Sequence, residues 1–496
     1  MHDRGLLFNT LKKAGAHSLI YGMGMSFTAI SSILLVPLYT KSLTPADYGI
    51  YSLISIIASL LFFLYDFGMI NAVFRWYYQY SPDQSHLRRR VISTALLFLF
   101  GLALFFTILL WVFAPFLSRV VLHSDKFAPF IRLMLLGVFL QSLTWVPLSL
   151  LRIKEKVLTF TSITVLGMIV MVIANYLFLS MGRGIGGIYE AYIIAYIFVG
   201  VFLYLKTHQN YAIEFSLTEL KGMLKFGVPY LPVLFFSWMI DFSDRYLLGR
   251  LSTLQEVGLY SVGYKLGQVM YMVEKTFLIA WIPLMLSIYQ QHKDKAQHIF
   301  GGVFTYFSVA IFILALSISV FSSEIIRIFT SPAYYGAAAV VPWVAFAYLL
   351  SGIYIFMLSG FIISKNVYLQ PVILFLSALV NIGLNIVLIP KFGMMGAAYA
   401  TVVSYLIVAV FTTVFSQKLY PINIEWVRIA KVAVCAVVIY FLSRLVNIPS
   451  MIMTVMLKTA LIAFLFVALY FTGFFNASEI KRFRNILVSW RLLRDV

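Results

Sequence analysis

The chain has 496 residues, 62% of them hydrophobic and 11% charged, with a mean hydropathy of +0.95. A soluble domain carries about 25% charged residues, so this composition excludes a water-soluble globular protein and reads as an all-α polytopic membrane protein. The formal net charge of +19 brings nucleic acid to mind, but the placement of the charges assigns them to orientation in a membrane.

Apolar runs of about 20 residues recur along the chain, each long enough to cross a ~30 Å hydrocarbon layer. The spans are expected near 17–39, 48–72, 91–114, 128–150, 157–180, 185–205, 226–248, 257–283, 299–321, 338–363, 367–389, 394–416, 428–446 and 450–474, fourteen in all. No cleavable signal pattern precedes the first, which reads as a retained anchor. One alternate set of connections holds 24 Lys and Arg residues, among them Arg75, Arg88, Arg89, Arg90 and the five of the C-terminal tail; the opposite set holds nine. The positive-inside rule then puts both termini in the cytoplasm, and nucleic acid is not expected as a partner. Contact with anionic lipid heads fits the same excess.

The chain repeats itself. Asp47-Tyr48-Gly49-Ile50-Tyr51-Ser52 opens the second span and Glu256-Val257-Gly258-Leu259-Tyr260-Ser261 the eighth, 209 residues later. The same offset relates Gly184-Ile185-Gly186-Gly187 to Gly393-Met394-Met395-Gly396, and Asn175 matches Asn385 within one residue. Two bundles of six helices are expected, 1–210 and 211–420. An even number of spans keeps both in one orientation, related by a pseudo-two-fold axis along the membrane normal. Residues 421–496 add two more spans and a basic tail.

Several chemistries are absent from the sequence. The single cysteine, Cys435, makes neither an intrachain disulfide nor a metal site. The seven histidines lack metal-ligand spacing, and no Gly-Lys dipeptide offers a Walker A loop. No cofactor and no enzyme activity are expected. Energy must come from an ion gradient, H+ or Na+, from the membrane potential or from a partner.

The stretch from Leu224 to Lys275 carries charges inside spans: Asp241, Asp244, Arg245, Lys265, Glu274 and Lys275. Such a group costs roughly 2.5–3.5 kcal/mol near the bilayer centre, and is kept where it meets another charge, a wet cavity or a substrate. Phe226-Gly227-Val228-Pro229, Asp244-Arg245-Tyr246-Leu247-Leu248-Gly249 and the opening at Glu256, together with Leu43-Thr44-Pro45-Ala46-Asp47-Tyr48-Gly49-Ile50-Tyr51, resemble the polysaccharide-biosynthesis flippases. These belong to the superfamily that also holds lipid II flippases and multidrug and toxin extrusion (MATE) transporters. The resemblance covers the whole chain. It implies a carrier in the bacterial cytoplasmic membrane that turns undecaprenyl-pyrophosphate-linked oligosaccharide, a unit of O-antigen, capsule or exopolysaccharide, to the outer leaflet by alternating access. A glycan polymerase and a chain-length regulator are the implied partners. A multidrug or cation antiporter of the same fold remains an alternative, favouring an acidic cavity with few bases. So does a lipid II flippase, whose cavity should be richer in arginine.

Pyrophosphate calls for cations, arginine above all. Asp241, Asp244, Arg245 and Leu248 share one helix face, with Arg245 about 28 Å along its span and Lys265 about 13 Å into the next. An Asp241–Arg245 ion pair that only fixes the helix end and a substrate site at the cavity roof are both open readings. Lys265 is expected either to face the cavity or to pair with Asp241 or Asp244. Asp66 stands 209 residues before Lys275, and the two are expected to pair as a cytoplasmic gate, with Glu274 competing. Arg75, Arg88, Arg89 and Arg90 flank the cytoplasmic mouth, where they either collect the anionic head group or serve orientation. Prolines in the first and seventh spans are candidate bending points. Most Tyr and Trp near loop boundaries read as interfacial belts.

Overall fold

The computed structural model describes residues 33–480, apart from 213, 447, 477 and 478. Helix α1 covers 33–42, followed by α2 (Pro45–Asp66), α3 (Met69–Gln79), α4 (Ser85–Val112), α5 (Ala114–Leu122), α6 (Ala128–Ser142), α7 (Trp145–Ile153), α8 (Val157–Ser180) and α9 (Gly184–Thr207). Next come α10 (Leu217–Gly227), α11 (Leu231–Leu251), α12 (Leu254–Gly267), α13 (Val269–Gln291), α14 (Lys293–Val320) and α15 (Ser322–Phe329). The chain then runs through α16 (Val341–Ser364), α17 (Leu369–Phe392), α18 (Met394–Leu419), α19 (Trp426–Leu445) and α20 (Met451–Phe471). Twelve of these stretches are long and apolar enough to cross a membrane, and the bent pair α10–α11 makes a thirteenth. Most of the expected span at 17–39 lies outside the described residues. So do Arg4, Lys12 and Lys13, and the tail residues Lys481, Arg482, Arg484, Arg491 and Arg494.

Helices α2, α4, α6, α8 and α9 pack on one another; α11, α14, α16, α17 and α18 form a second group, with α19 and α20 laid against α14. The groups meet chiefly where α2 crosses α12. Both of these helices start at a threonine cap. Thr44 accepts the N–H of Asp47 and receives the Asp47 carboxylate on its own N–H, both at 3.2 Å; Thr253 accepts the N–H of Glu256 at 3.2 Å. Such caps satisfy amides left open in the first turn. Thr44 and Thr253 are themselves 209 residues apart. The crossing beyond them is reciprocal: a Cβ on Gly49 would meet the Leu254 carbonyl oxygen at 2.0 Å, and one on Gly258 would meet that of Pro45 at 1.9 Å. A contact that maps onto itself under exchange of halves is the signature of a two-fold axis.

Several spans expected as single helices are broken. The second breaks at Phe67 and Gly68, both at positive φ (48° and 76°). Asp66 accepts the N–H of Ile70 there at 2.9 Å, since backbone amides at membrane depth need a partner when the helical one is lost. The fourth breaks at Leu143–Thr144 and the eighth at Gln268. The seventh bends by 50° through the 3-10 turn Val228–Tyr230, where Pro229 sits. Pro37 lies within the helical run of α1.

That bend touches the break in α2. A Cβ on Gly68 would lie 2.6 Å from the Gly227 carbonyl, and one on Gly227 would lie 2.6 Å from that of Gly68. The surrounding apolar cluster joins α3, α4 and α7 to Leu220 and Met223 of α10. The halves are thus in backbone contact at two levels, Gly49–Gly258 at one end and Gly68–Gly227 toward the other.

Overpacking a tight contact costs about 1–3 kcal/mol. Gly258→Leu is expected to lower the melting temperature of the detergent-solubilised chain, while Gly101→Ala, with nothing within 4 Å of the added carbon, leaves it unchanged. Scanning fluorimetry reads both.

Candidate functional site

The carboxylates of α11 are held by phenols. Asp244 is fully buried; one oxygen accepts the backbone N–H of Arg245 at 2.6 Å, the other accepts the Tyr260 hydroxyl and, at 3.5 Å, that of Thr401. Asp241 accepts the hydroxyls of Tyr405 at 2.6 Å and Tyr264 at 3.1 Å, and Tyr348 donates to Tyr264 at 3.1 Å. Helices α11, α12, α16 and α18 are tied together this way. Hydrogen bonds of this kind are what permit a charge to stay buried.

The expected ion pair between Asp241 and Arg245 is not formed. Arg245 donates instead to the backbone carbonyl of Asp241, at 3.1 Å. The phenols of α12 and α18 occupy the Asp241 carboxylate, while three rings hold the guanidinium: its carbon lies 4.1 Å from the ring centre of Tyr264, 5.1 Å from Phe242 and 6.0 Å from Tyr260. Ring faces attract a cation without neutralising it. Lys265 forms no ion pair with Asp241 or Asp244 either, since those carboxylates point into the second half.

Arg245 and Lys265 come together on a chamber between the halves. Tyr48, Tyr51, Ser52 and Ser55 of α2 form one wall; Phe242 and Arg245 of α11, with Ser261, Lys265 and Gln268, form the other, around about 140 Å³. Lys265, Tyr51 and Ser55 also line an adjoining chamber of about 320 Å³, which runs into the first half between α1, α2, α6, α8 and α9. Among the described residues, no carboxylate lines either one. Lys265 lies just before the break at Gln268, in the first third of the long α12–α13 stretch.

The expected gate residues are apart in this conformation. Asp66 holds the α2–α3 break, Lys275 lies 5.0 Å from the ring centre of Tyr271, and no ion pair joins the two. Glu274 is fully buried against α16 and accepts the Ser351 hydroxyl at 2.8 Å. At the basic mouth, Arg75 lies 4.7 Å from the ring centre of Phe226. Arg88 donates twice to the Tyr80 carbonyl, at 3.0 and 2.7 Å, and Arg90 pairs with Glu219 of α10 at 3.3 Å. Of the four, Arg75 and Arg89 are exposed, and Arg89 lies clear of the contacts that hold Arg88 and Arg90.

Two features escaped the sequence reading. Tyr48, Tyr260, Tyr264, Tyr334 and Tyr348 are buried, at 2% exposure or less, where most tyrosines near loop boundaries were expected in interfacial belts; the four-residue spacing of Tyr260 and Tyr264, on the span after Asp241 and Asp244, was the available signal. Lys458, in α20, went unremarked. It pairs with Glu324 of α15 at 2.6 Å and donates to the Val320 carbonyl at 3.0 Å, pinning the appended helices to the second half.

The fold and site define a polytopic α-helical membrane protein with two like-oriented halves around a cationic chamber. Residues 40–339 match the family described as polysaccharide biosynthesis protein, and the chain belongs to that family. An uncharacterized membrane protein of Methanocaldococcus jannaschii is 22% identical, over 92% of this chain and 96% of its own. Among solved structures, the lipid II flippase MurJ in an inward closed conformation superposes with a TM-score of 0.72 at 15% identity, covering 92% of this chain and 98% of its own. An inward-facing multidrug resistance MATE transporter superposes at 0.65 with 14% identity, covering 83% and 95%.

Asp244→Ala leaves the buried Tyr260 hydroxyl without its acceptor, at about 1–3 kcal/mol for such a group, while Thr401 keeps the Ala397 carbonyl at 3.0 Å. A clear fall in melting temperature is expected, against none for Arg89→Ala.

Proposed function

We propose that this chain is a flippase for lipid-linked oligosaccharide, moving an undecaprenyl-pyrophosphate-linked unit from the cytoplasmic to the outer leaflet without chemical conversion. The observation that carries this reading is the chamber with two cations and no carboxylate in its walls. A pyrophosphate crossing hydrocarbon needs donors that stay charged in a site of low dielectric, and an arginine fork with a lysine supplies them. The same observation weighs against a cation antiporter, which would need the acids that Tyr260, Tyr264 and Tyr405 hold away from the chamber. A lipid II flippase stays the second reading because of the MurJ likeness in fold.

In this reading the chain sits in the bacterial cytoplasmic membrane with both termini inside, and an H+ or Na+ gradient drives its return. The bundles 1–210 and 211–420 are the moving parts, with 421–496 carried by the second through Lys458 and Glu324, and a glycan polymerase with its chain-length regulator receives the product. Asp66 and Lys275 pair only when the basic end closes around an outward-facing chamber, and the exposed Arg89 collects the head group at the mouth.

A charge-assisted hydrogen bond is worth about 1.5–3 kcal/mol, or roughly ten- to a hundredfold in affinity. In proteoliposomes holding a fluorescent polyprenyl-pyrophosphate-linked sugar, Arg245→Ala and Lys265→Ala should each lower leaflet exchange by about that factor. Transport of an organic cation such as ethidium, unaffected by these substitutions, would overturn the reading.

The gate is tested separately. Asp66→Lys should impair exchange and the added Lys275→Asp restore it; two losses that add without rescue remove the pair from the mechanism.

A further inference from the structure

The larger chamber, on the side of the first half, has a chemistry different from that of the cationic one. Its floor is formed by tyrosines: Tyr39 and Tyr51 meet edge to face with ring centres 5.5 Å apart, Tyr51 and Tyr189 lie 6.0 Å apart, and Tyr192 and Tyr196 lie 4.7 Å apart. At one side Gln141 is clamped between two phenols. Its amide nitrogen donates to the Tyr196 hydroxyl at 2.8 Å, and its amide oxygen accepts the Tyr192 hydroxyl. Among the described residues, Lys265 is the only charged side chain in the wall.

This wall is more polar than packing in a membrane requires. Phenylalanine would fill the same volume without bringing hydroxyls into low dielectric, where an unpaired one is costly. A primary amide has two N–H donors and two lone pairs. The clamp on Gln141 uses one of each, which fixes the plane of the amide and leaves one donor and one acceptor for something else. Rings that offer apolar faces with hydroxyls at their edges, beside an oriented amide, complement a sugar ring, which itself has an apolar face and a rim of hydroxyls. The absence of carboxylates and the distance of Arg245 from this wall favour a neutral sugar over a second phosphate.

Position adds to composition. Tyr51, Ser55 and Lys265 line both chambers, so a group held by Arg245 and Lys265 has its neighbour along the molecule in the tyrosine chamber. A volume of about 320 Å³ lies at the low end of the ~300–1,000 Å³ typical of small-molecule sites, which suits one or two rings and not a long glycan. We infer that the tyrosine chamber is a sugar subsite: it holds the ring next to the pyrophosphate, reads its hydroxyls through Gln141, Tyr192 and Tyr196, and makes the first half the determinant of glycan identity while the second half holds the phosphates. The inference rests on the lipid-linked oligosaccharide reading above.

The test uses the full chain in nanodiscs, with undecaprenyl pyrophosphate and the same lipid carrying a single glucose, galactose or N-acetylglucosamine as probes. In the unsubstituted protein at least one sugar-bearing lipid should bind about tenfold more tightly than the bare one, the worth of roughly one to two neutral hydrogen bonds. Gln141→Leu and Tyr192→Phe should abolish that increment and leave the affinity for the bare lipid unchanged, with melting temperatures as the folding control. Arg245→Ala should weaken bare and sugar-bearing lipids alike. Equal binding of bare and all sugar-bearing lipids, an increment that survives both substitutions, or a loss shared by the bare lipid would each overturn the subsite. Failure of the unsubstituted protein to bind any of the four would instead overturn the carrier reading on which it rests.

Discussion

The arrangement depends on how two carboxylates are satisfied. Asp241 and Asp244 lie on the same helix as Arg245, and the simplest outcome would be mutual neutralisation. Phenols from α12 and α18 take the carboxylates instead, and the guanidinium is left on ring faces with its charge intact. A buried ion pair would have discharged the chamber; a cage of tyrosines keeps negative charge in the wall of the second half and positive charge at its surface. The same hydrogen bonds fasten α11 to α12, α16 and α18, so the electrostatics of the chamber and the rigidity of that half come from one set of contacts.

The second constraint is backbone proximity. Glycines meet at the α2–α12 crossing and again where the α2 break meets the bent seventh span. Between these levels lies the chamber. At both, the closest approach is of a glycine to the opposing backbone, with no side chain interposed.

Much of this was legible in the sequence. The spans follow from hydropathy alone, and the duplication followed from an offset that the structure reproduces in the paired caps Thr44 and Thr253 and in the reciprocal contacts of Gly49 and Gly258. Arg245 and Lys265 drew attention because charge in hydrocarbon is expensive, and the structure brings the two to one chamber. The partners were not legible. Helical spacing offered Arg245 to Asp241, but hydroxyls arriving from Tyr264, 23 residues on, and Tyr405, 164 residues on, compete for the same oxygens, and nothing local announces contacts between different helices. Breaks in helices were missed for a related reason: at Phe67–Gly68 the lost helical bonds are replaced by a side chain, Asp66, whose charge suggested a different duty. Tyr192 and Tyr196 escaped notice because an aromatic residue in a membrane span looks the same whether it faces lipid or a cavity.

Gly227 closes α10, borders the 50° bend into α11, and is also the residue that abuts Gly68. One residue thus sets both the angle of that span and its spacing from α2. The helix that carries Arg245 continues from the same bend, so the bend fixes the direction from which the cation reaches the chamber.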